Sequence, residues 1–216
     1  MRDRNAPLTS AETASLAWDK MDGLLPAVVQ DRRSGRVLML GYMDAQALEA
    51  TLESGFATFF SRSKQRLWRK GETSGNGLKV HAVTSDCDGD ALLVLADPQG
   101  PTCHEGTRSC FGDDWLGGPG WFAELSAIVA KRAASGGESS YTRRLLDGGP
   151  ERIAQKVGEE GVELALAAVT RDAAGCAEEA ADLLYHLAVL LEARGLSWDE
   201  IVDVLRRRHE ANAPGA

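Results

Sequence analysis

The first half of the chain alternates short apolar runs with glycine-containing turns, a pattern typical of β-structure. One helix is predicted among the strands, because Asp44 is a suitable N-cap and Gly55 suits the residue that follows a helix spanning 45–54. The predicted strands are residues 25–30, 36–42, 57–61, 78–85 and 91–96.

The second half has the period of amphipathic helices, with apolar residues three or four positions apart. The four predicted helices are residues 121–134, 151–170, 176–194 and 198–210, the last with Ser197 as N-cap. Between the halves lies a glycine-rich joint at 112–120, and a flexible connector is predicted at 135–140. We therefore predict an α+β chain with a β-rich domain at 1–117 and an all-α helical bundle at 118–216.

Composition narrows the class of protein. The chain has 216 residues, 44% of them hydrophobic, and a formal net charge of −8. Both halves are mildly acidic, which argues against a nucleic-acid binder. Residues 1–10 lack the apolar region of a signal peptide, and no apolar run approaches the ~20 residues of a membrane span. We expect a cytoplasmic protein, in which the four cysteines favour metal binding over disulfides.

The sequence Asp-Cys-Asp-Gly-Asp places three carboxylates at every second position. On an extended segment Asp86, Asp88 and Asp90 face one way, whereas Cys87 faces the other. Carboxylates suit hard cations, so we expect a Mg²⁺ site here. An EF-hand does not fit, because the Gly at loop position 6 and the Glu at position 12 are missing. A solvated acidic turn is the alternative for this segment taken alone.

Three cysteines in the same region predict a zinc site. Cys87, Cys103 and Cys110 would leave one coordination position open for a water, as catalytic zinc sites do. His104 is a candidate general base or a fourth ligand. The alternative for any single cysteine is a small buried hydrophobe, which we favour for Cys176. A zinc nucleobase deaminase is disfavoured, because its H-x-E and P-C-x-x-C motifs are absent.

A basic segment at 59–76 ends in Lys-Gly-Glu-Thr-Ser-Gly-Asn. A cation beside hydroxyls and glycines is typical of phosphate-binding loops, although Walker A spacing is missing. Stacking of single-stranded RNA on Phe59, Phe60 and Trp68 is the alternative. Because the chain has a net negative charge, we favour a small phosphorylated ligand over RNA. The candidate substrate-binding residues in this segment are Arg62, Trp68, Lys70, Thr73, Ser74 and Asn76.

Two predicted helices carry carboxylates within their apolar stripes. Glu160 lies in the stripe of the second predicted helix, and Glu163 follows it by three residues. Glu179 and Asp182 repeat this spacing on the third. If these helices pair antiparallel, four carboxylates meet in the interior, where they need a cation. Bound Mg²⁺ would suit hydrolysis of a phosphoanhydride, whereas ordinary solvated helical acids are the alternative. Further candidates for phosphate contact are Arg152 and Lys156, which are otherwise surface charges.

Several motifs together resemble known families. Those of the first half resemble phosphoribosyl-AMP cyclohydrolase: LPAVVQD, VLMLGYM, FFSRS, WRKGETSGN, DCDGD, GPTCH and SCF. In the second half, Ser140-Tyr141-Thr142, RIAQKVGEEGVE and EEAADLLYHL resemble phosphoribosyl-ATP pyrophosphatase. Their order resembles the fused bifunctional family of histidine biosynthesis, and the resemblance covers residues 18–209. Residues 1–17 carry no motif that we can assign.

The resemblance implies two consecutive reactions. The helical domain would release pyrophosphate from phosphoribosyl-ATP, and the β-rich domain would open the adenine ring of phosphoribosyl-AMP by hydrolysis at N1–C6. The alternatives are a single active domain, a zinc-stabilised nucleotide-binding module without turnover, and a broad nucleotide pyrophosphatase. Cys87 would meet its partner thiols across a homodimer interface. The implied ligands are Asp86, Asp88 and Asp90 for Mg²⁺; Cys87, Cys103 and Cys110 for Zn²⁺; and Glu160, Glu163, Glu179 and Asp182 for Mg²⁺. The implied catalytic residues are His104, Glu160 and Glu163.

Overall fold

The computed structural model describes residues 3, 6–113, 118–134 and 140–211. The chain divides into two compact units, Met1–Gly120 and Trp121–Ala216. The domain boundary predicted at residue 117, and most of the predicted connector at 135–140, lie outside the described residues. The first unit contains the strands and the second is helical, so the predicted α+β class is confirmed.

Six strands lie in the described part of the N-terminal unit, and four of them form one sheet. These six are β1 (Leu25–Asp31), β2 (Val37–Met43), β3 (Thr58–Ser61), β4 (Arg66–Arg69), β5 (Leu78–Ser85) and β6 (Leu92–Pro98). The sheet has the order β2-β1-β6-β5, while β3 and β4 pair separately as an antiparallel hairpin. The central strands β1 and β6 are parallel, and each is antiparallel to its outer neighbour.

The core of this unit follows from strand periodicity. Alternate residues of β1 and β6 are buried, as expected when only one face of a sheet is covered. Helix α1 (Ala45–Ser54) begins where the Asp44 carboxylate accepts the amide N–H of Ala47 at 2.7 Å, and ends at Gly55 with φ of 70°. The buried residues from these elements include Leu25, Ala27, Val29, Leu48, Leu92, Val94 and Ala96.

Within its described residues, the C-terminal unit has five helices. They are α2 (Trp121–Ala134), α3 (Tyr141–Asp147), α4 (Gly149–Thr170), α5 (Ala173–Arg194) and α6 (Trp198–Ala211). The two long helices, α4 and α5, are joined by only Arg171 and Asp172, so α5 folds back against α4. The Asp172 carboxylate caps α5 by accepting the amide N–H of Gly175 at 2.9 Å. The core contains Leu125, Val129, Leu145, Ile153, Ala188 and Val189.

Most predicted elements are confirmed within a few residues, but one strand and one α-helix were missed. Strand β4 lies in the basic segment, where its short run between Arg66 and Arg69 gives no strong alternation. Helix α3, of seven residues, is too short to show a helical period. Among the described residues, no helix combines the length and apolarity needed to cross a membrane.

Candidate functional sites

The three aspartates lie together in the loop between β5 and β6. An oxygen atom of each of Asp86, Asp88 and Asp90 lies within 4.8 Å of the others. The expectation of an extended segment is wrong, because the loop bends and Gly89 adopts φ of 74°. The Oδ1 atom of Asp86 shapes this bend by accepting the amide N–H groups of Asp90 at 3.0 Å and of Ala91 at 3.2 Å. We call residues 86–90 the acid loop.

A lysine that the sequence analysis did not single out binds the acid loop. The ammonium group of Lys20 contacts the carboxylates of both Asp88 and Asp90. Its hydrogen bonds to these aspartates raise the pKa of Lys20, and the same contact lowers the pKa of Asp88. A cation thus already lies between two of the three carboxylates. Together with the all-oxygen donor set, this indicates that the acid loop fits a hard divalent cation.

The three predicted zinc ligands do not come together within this chain. The thiols of Cys103 and Cys110 lie close enough to influence each other's pKa, whereas Sγ of Cys87 lies beside Oδ1 of Asp88 at 3.9 Å. Among the described residues, no metal-sized group contains all three thiols. A hydrogen bond from the Glu105 backbone lowers the pKa of Cys103, which favours the metal-binding thiolate. Two thiols suit zinc chemically but leave its coordination incomplete.

Backbone contacts to β2 hold the thiol pair in place. The amide N–H of Cys110 donates to the carbonyl of Leu38 at 2.8 Å, and the Ser109 hydroxyl donates to the carbonyl of Val37 at 2.7 Å. The predicted base His104 is exposed, and its Nδ1 lies 3.8 Å from Sγ of Cys103. The structure therefore places the imidazole beside the thiol pair.

The predicted phosphate loop lies next to the segment that carries Cys103. Its Asn76 side chain contacts Gly100 so closely that no Cβ could be added there. Burial raises the pKa of Cys110, and the positive charge of Lys70 partly offsets this effect. Thr73 and Ser74 are exposed on the turn between Lys70 and Asn76. A cation, hydroxyls and thiols are thus gathered on one side of the N-terminal unit.

A pocket of about 300 Å³ opens between β2 and the β3–β4 hairpin. Two predicted substrate-binding residues line it: Arg62, whose guanidinium lies 3.8 Å from the ring centre of Tyr42, and Trp68, whose ring centre is 5.2 Å from that of Phe59. A Cβ added to Gly41 would overlap the ring of Phe59. Tyr42 was missed by the sequence analysis, although it stands in the quoted motif VLMLGYM.

Carboxylates from α4 and α5 meet in the helical unit. Oxygen atoms of Glu160, Glu179 and Asp182 lie within 4.8 Å of one another, and the two glutamates are buried. Glu163 was predicted as a fourth member, but it is exposed and lies outside this group. Three residues advance an α-helix by about 300°, so Glu163 is rotated about 60° away from Glu160. We call the three grouped residues the helical acid cluster.

Basic side chains neutralise the helical acid cluster. The ammonium group of Lys156 lies 2.9 Å from Oε1 of Glu160, and the guanidinium of Arg171 binds the carboxylate of Glu179. Hydrogen bonds to acidic neighbours raise the pKa of Lys156. Arg152 was predicted, like Lys156, to contact phosphate. It is exposed and donates a hydrogen bond to the side chain of a neighbouring glutamine. Cations already held against these acids indicate that the cluster fits a divalent cation.

A histidine and a tyrosine complete this region. The Nδ1 atom of His186 lies 2.9 Å from the carbonyl oxygen of Asp182 and 3.6 Å from Oε1 of Glu160. A carbonyl only accepts hydrogen bonds, so Nδ1 donates to it, and Nε2 forms a hydrogen bond with the Tyr141 hydroxyl at 2.9 Å. Neither residue was predicted to have a role. The signal was present, because His186 follows Asp182 by one helical turn.

Comparison with known proteins assigns each unit to a family. Residues 39–112 match the family model of phosphoribosyl-AMP cyclohydrolase, and residues 122–209 match that of phosphoribosyl-ATP pyrophosphohydrolase. The histidine biosynthesis bifunctional protein HisIE of Escherichia coli (strain K12) is 54% identical over 206 residues, which cover 94% of this chain and 100% of that protein. The HisIE protein of Shewanella oneidensis is 55% identical over 204 residues, 94% of this chain and 95% of that protein.

Proposed function

The chain belongs to the family of histidine biosynthesis bifunctional proteins, and from this we propose how its two acid clusters divide the chemistry. The helical unit is the phosphoribosyl-ATP pyrophosphohydrolase, which releases pyrophosphate and forms phosphoribosyl-AMP. The N-terminal unit is the phosphoribosyl-AMP cyclohydrolase, which opens the adenine ring by hydrolysis at N1–C6. The family resemblance seen in the sequence is confirmed.

We assign the pyrophosphohydrolase site to the helical acid cluster. Three carboxylates in contact, two of them buried, are the observation that carries this assignment. Bound Mg²⁺ would supply positive charge for the triphosphate and help to activate water. Glu160, Glu179 and Asp182 would hold the metal. Glu163 remains our candidate for a fourth ligand or a general base, because it borders the cluster one helical turn beyond Glu160.

The phosphate contacts of this site are proposed from the basic residues on α4. Lys156 already lies against the cluster, so its ammonium group is placed to meet a phosphate oxygen once metal binds the carboxylates. Arg152 is one turn nearer the start of α4, where an exposed guanidinium can reach a phosphate further from the metal. These two roles are distinguished by substitution, because loss of Lys156 should also tighten metal binding by freeing an oxygen of Glu160, whereas loss of Arg152 should not.

We assign the cyclohydrolase site to the acid loop and the thiol pair. The acid loop would hold Mg²⁺, and zinc bound by the cysteines would supply a Lewis acid for the hydrolysis. His104, beside Cys103, would accept a proton from the attacking water. The exposed Thr73 and Ser74 would donate hydrogen bonds to the ribose phosphate, with Lys70 supplying positive charge.

We propose that the aromatic pocket binds the nucleotide. Its walls offer the ring of Trp68 for stacking and the guanidinium of Arg62 for a phosphate or a base edge. A volume of about 300 Å³ is at the small end of ligand pockets and suits part of a nucleotide. Asn76, at the end of the adjacent loop, would contact the ribose.

We propose further that the protein is a homodimer with zinc sites shared between its copies. Cys87 is exposed and stands apart from the thiol pair, whose Cys110 is also exposed. Cys87 of a second copy would complete the three-thiol site.

Mixing two inactive variants tests the shared zinc site. Cys87→Ser and Cys103→Ser should each abolish ring opening and retain pyrophosphate release. Unfolded and refolded together in equal amounts, they should regain about a quarter of the wild-type ring-opening rate, because half of the random dimers carry one intact site out of two. Sites built within single chains would give no recovery. The control is Cys176→Ser, which should keep both activities and its zinc content.

A time course with phosphoribosyl-ATP, Mg²⁺ and Zn²⁺ tests which site catalyses which reaction. Chromatography should show phosphoribosyl-AMP appear first and a ring-opened product follow. Under the proposal, Cys103→Ser accumulates phosphoribosyl-AMP, whereas Glu179→Gln converts phosphoribosyl-ATP much more slowly at the same Mg²⁺ concentration. If Cys103→Ser also stopped pyrophosphate release, the two sites would not be independent.

We propose a cytoplasmic location for the protein. All four cysteines are free thiols, which matches a reducing compartment. Fractionation of cells, with detection of the protein by antibody, tests this location. Recovery in an oxidising compartment would contradict it.

A further inference from the structure

The segment before β1 is attached to the acid loop by its backbone. The amide N–H of Ala17 donates to the carbonyl of Gly89 at 2.9 Å. The indole N–H of Trp18 donates to the carbonyl of Thr13 at 2.8 Å, which braces the turn Trp18–Met21. These contacts fix the distance between the backbone of Lys20 and the acid loop. The ammonium group therefore loses little conformational entropy when it binds the carboxylates.

The Lys20 ammonium group takes the space between two carboxylates. It contacts Asp88 and Asp90 together, and its side chain is 52% exposed, so it can swing into solvent. Asp88 is 54% exposed and therefore open to ions from solution. A divalent cation bound to the same oxygen atoms would repel the ammonium group at close range. The two cations therefore exclude each other.

We propose that Lys20 is a built-in competitor that sets the affinity of the acid loop for its divalent cation. This inference rests on the proposed Mg²⁺ site. Without metal, the ammonium group neutralises the carboxylates and keeps the loop in its folded shape. Metal binding displaces the ammonium group. The apparent affinity of the acid loop for Mg²⁺ is therefore its intrinsic affinity multiplied by the fraction of molecules in which Lys20 is not bound to the loop.

Calorimetric titration with Mg²⁺ tests the competition. Every protein would carry Glu179→Gln, so that binding at the helical acid cluster is weakened. Lys20→Met should bind Mg²⁺ about three- to tenfold more tightly than its parent, the size expected when exposed ion pairs no longer compete. Lys79→Met, which removes an exposed lysine from β5, is the matched control for net charge and should stay within about twofold of the parent. An unchanged or weaker affinity for Lys20→Met would overturn the proposal.

Thermal unfolding gives a second readout that does not depend on activity. Without added Mg²⁺, Lys20→Met should melt at a lower temperature than its parent, because the carboxylates repel one another. Saturating Mg²⁺ should remove the difference, and Lys20→Arg should behave as the parent. A deficit that persists unchanged in Mg²⁺ would make Lys20 purely structural and refute competition. If neither the parent nor Lys20→Met binds Mg²⁺ in the titration, the Mg²⁺ site of the proposed function fails, and the role of Lys20 fails with it.

Discussion

The hydroxyl group of Tyr141 forms a hydrogen bond with Nε2 of His186 at 2.9 Å, and this contact joins α3 to α5. The opposite nitrogen of the same ring lies 3.6 Å from the carboxylate of Glu160. The imidazole is held at both ends, because Nδ1 also donates to the carbonyl of Asp182. Tyr141 is thus a positioning residue for the wall of the helical acid cluster.

Tyr141→Phe should lower the rate of pyrophosphate release about three- to tenfold, because the imidazole loses one of its two anchors. It should also cost about 1 kcal/mol of stability, the usual value of one hydrogen bond. The matched control is Tyr185→Phe, which removes the 2.8 Å hydrogen bond to Thr142 but leaves His186 untouched. Steady-state kinetics and thermal melts should show similar stability losses but a rate loss only in Tyr141→Phe. Equal rates in the two variants would argue against a positioning role.

Glu179→Gln should raise the Mg²⁺ concentration needed for pyrophosphate release by about 10- to 100-fold, since a charged ligand becomes a neutral one. Its neighbour Glu178 is exposed and outside the cluster, so Glu178→Gln controls for the loss of one negative charge. Ring opening should be unaffected in both. A normal Mg²⁺ dependence in Glu179→Gln would place the metal elsewhere.

Gly41→Ala should damage the aromatic pocket, because the new methyl group would overlap the ring of Phe59. We expect a stability loss of about 1–3 kcal/mol from overpacking and a raised KM for phosphoribosyl-AMP. Val37→Ala, at an exposed position of the same strand, should alter neither KM nor the pocket. An unchanged KM in a folded Gly41→Ala protein would show that the pocket does not bind the nucleotide.

The start of α6 should confer pH-dependent stability. Hydrogen bonds from the backbone and hydroxyl of Ser197 lower the pKa of Glu200. A lowered pKa means that the stabilisation is present above the unfolded-state value of about 4.3 and is lost as pH falls through the folded-state value. Glu200→Gln should therefore melt below wild type at neutral pH and converge with it in acid. A constant difference across this range would contradict the assignment.

Local signals explain which elements could be predicted from the sequence. Helix α1 was placed correctly because Asp44 and Gly55 mark its ends through contacts made within a few residues. Strand β4 depends instead on its pairing with β3, where Trp68 meets Phe59, and that is a tertiary contact. Propensity alone cannot supply such information.

The same distinction between local sequence signals and tertiary contacts applies to the candidate sites. Asp86, Asp88 and Asp90 were found because they are neighbours in sequence, even though their bent conformation was not foreseen. Lys20 binds them from 68 positions away, so no local pattern connects it to the loop. For Glu163 the regular spacing suggested a ligand, but its carboxylate lies outside the group of Glu160, Glu179 and Asp182. Its role as a fourth ligand therefore stays a prediction.

The parallel pairing of β1 with β6, in which Ala27 lies opposite Leu92, bears on how the chain folds. The central sheet cannot close until the chain has been synthesised through β6, whereas the α4–α5 hairpin depends on neighbouring residues. Non-local pairing slows folding, so the N-terminal half should be the slower of the two to refold. On dilution from denaturant, pyrophosphate release should therefore return before ring opening. During refolding, the protein would therefore pass through a period in which it produces phosphoribosyl-AMP without consuming it.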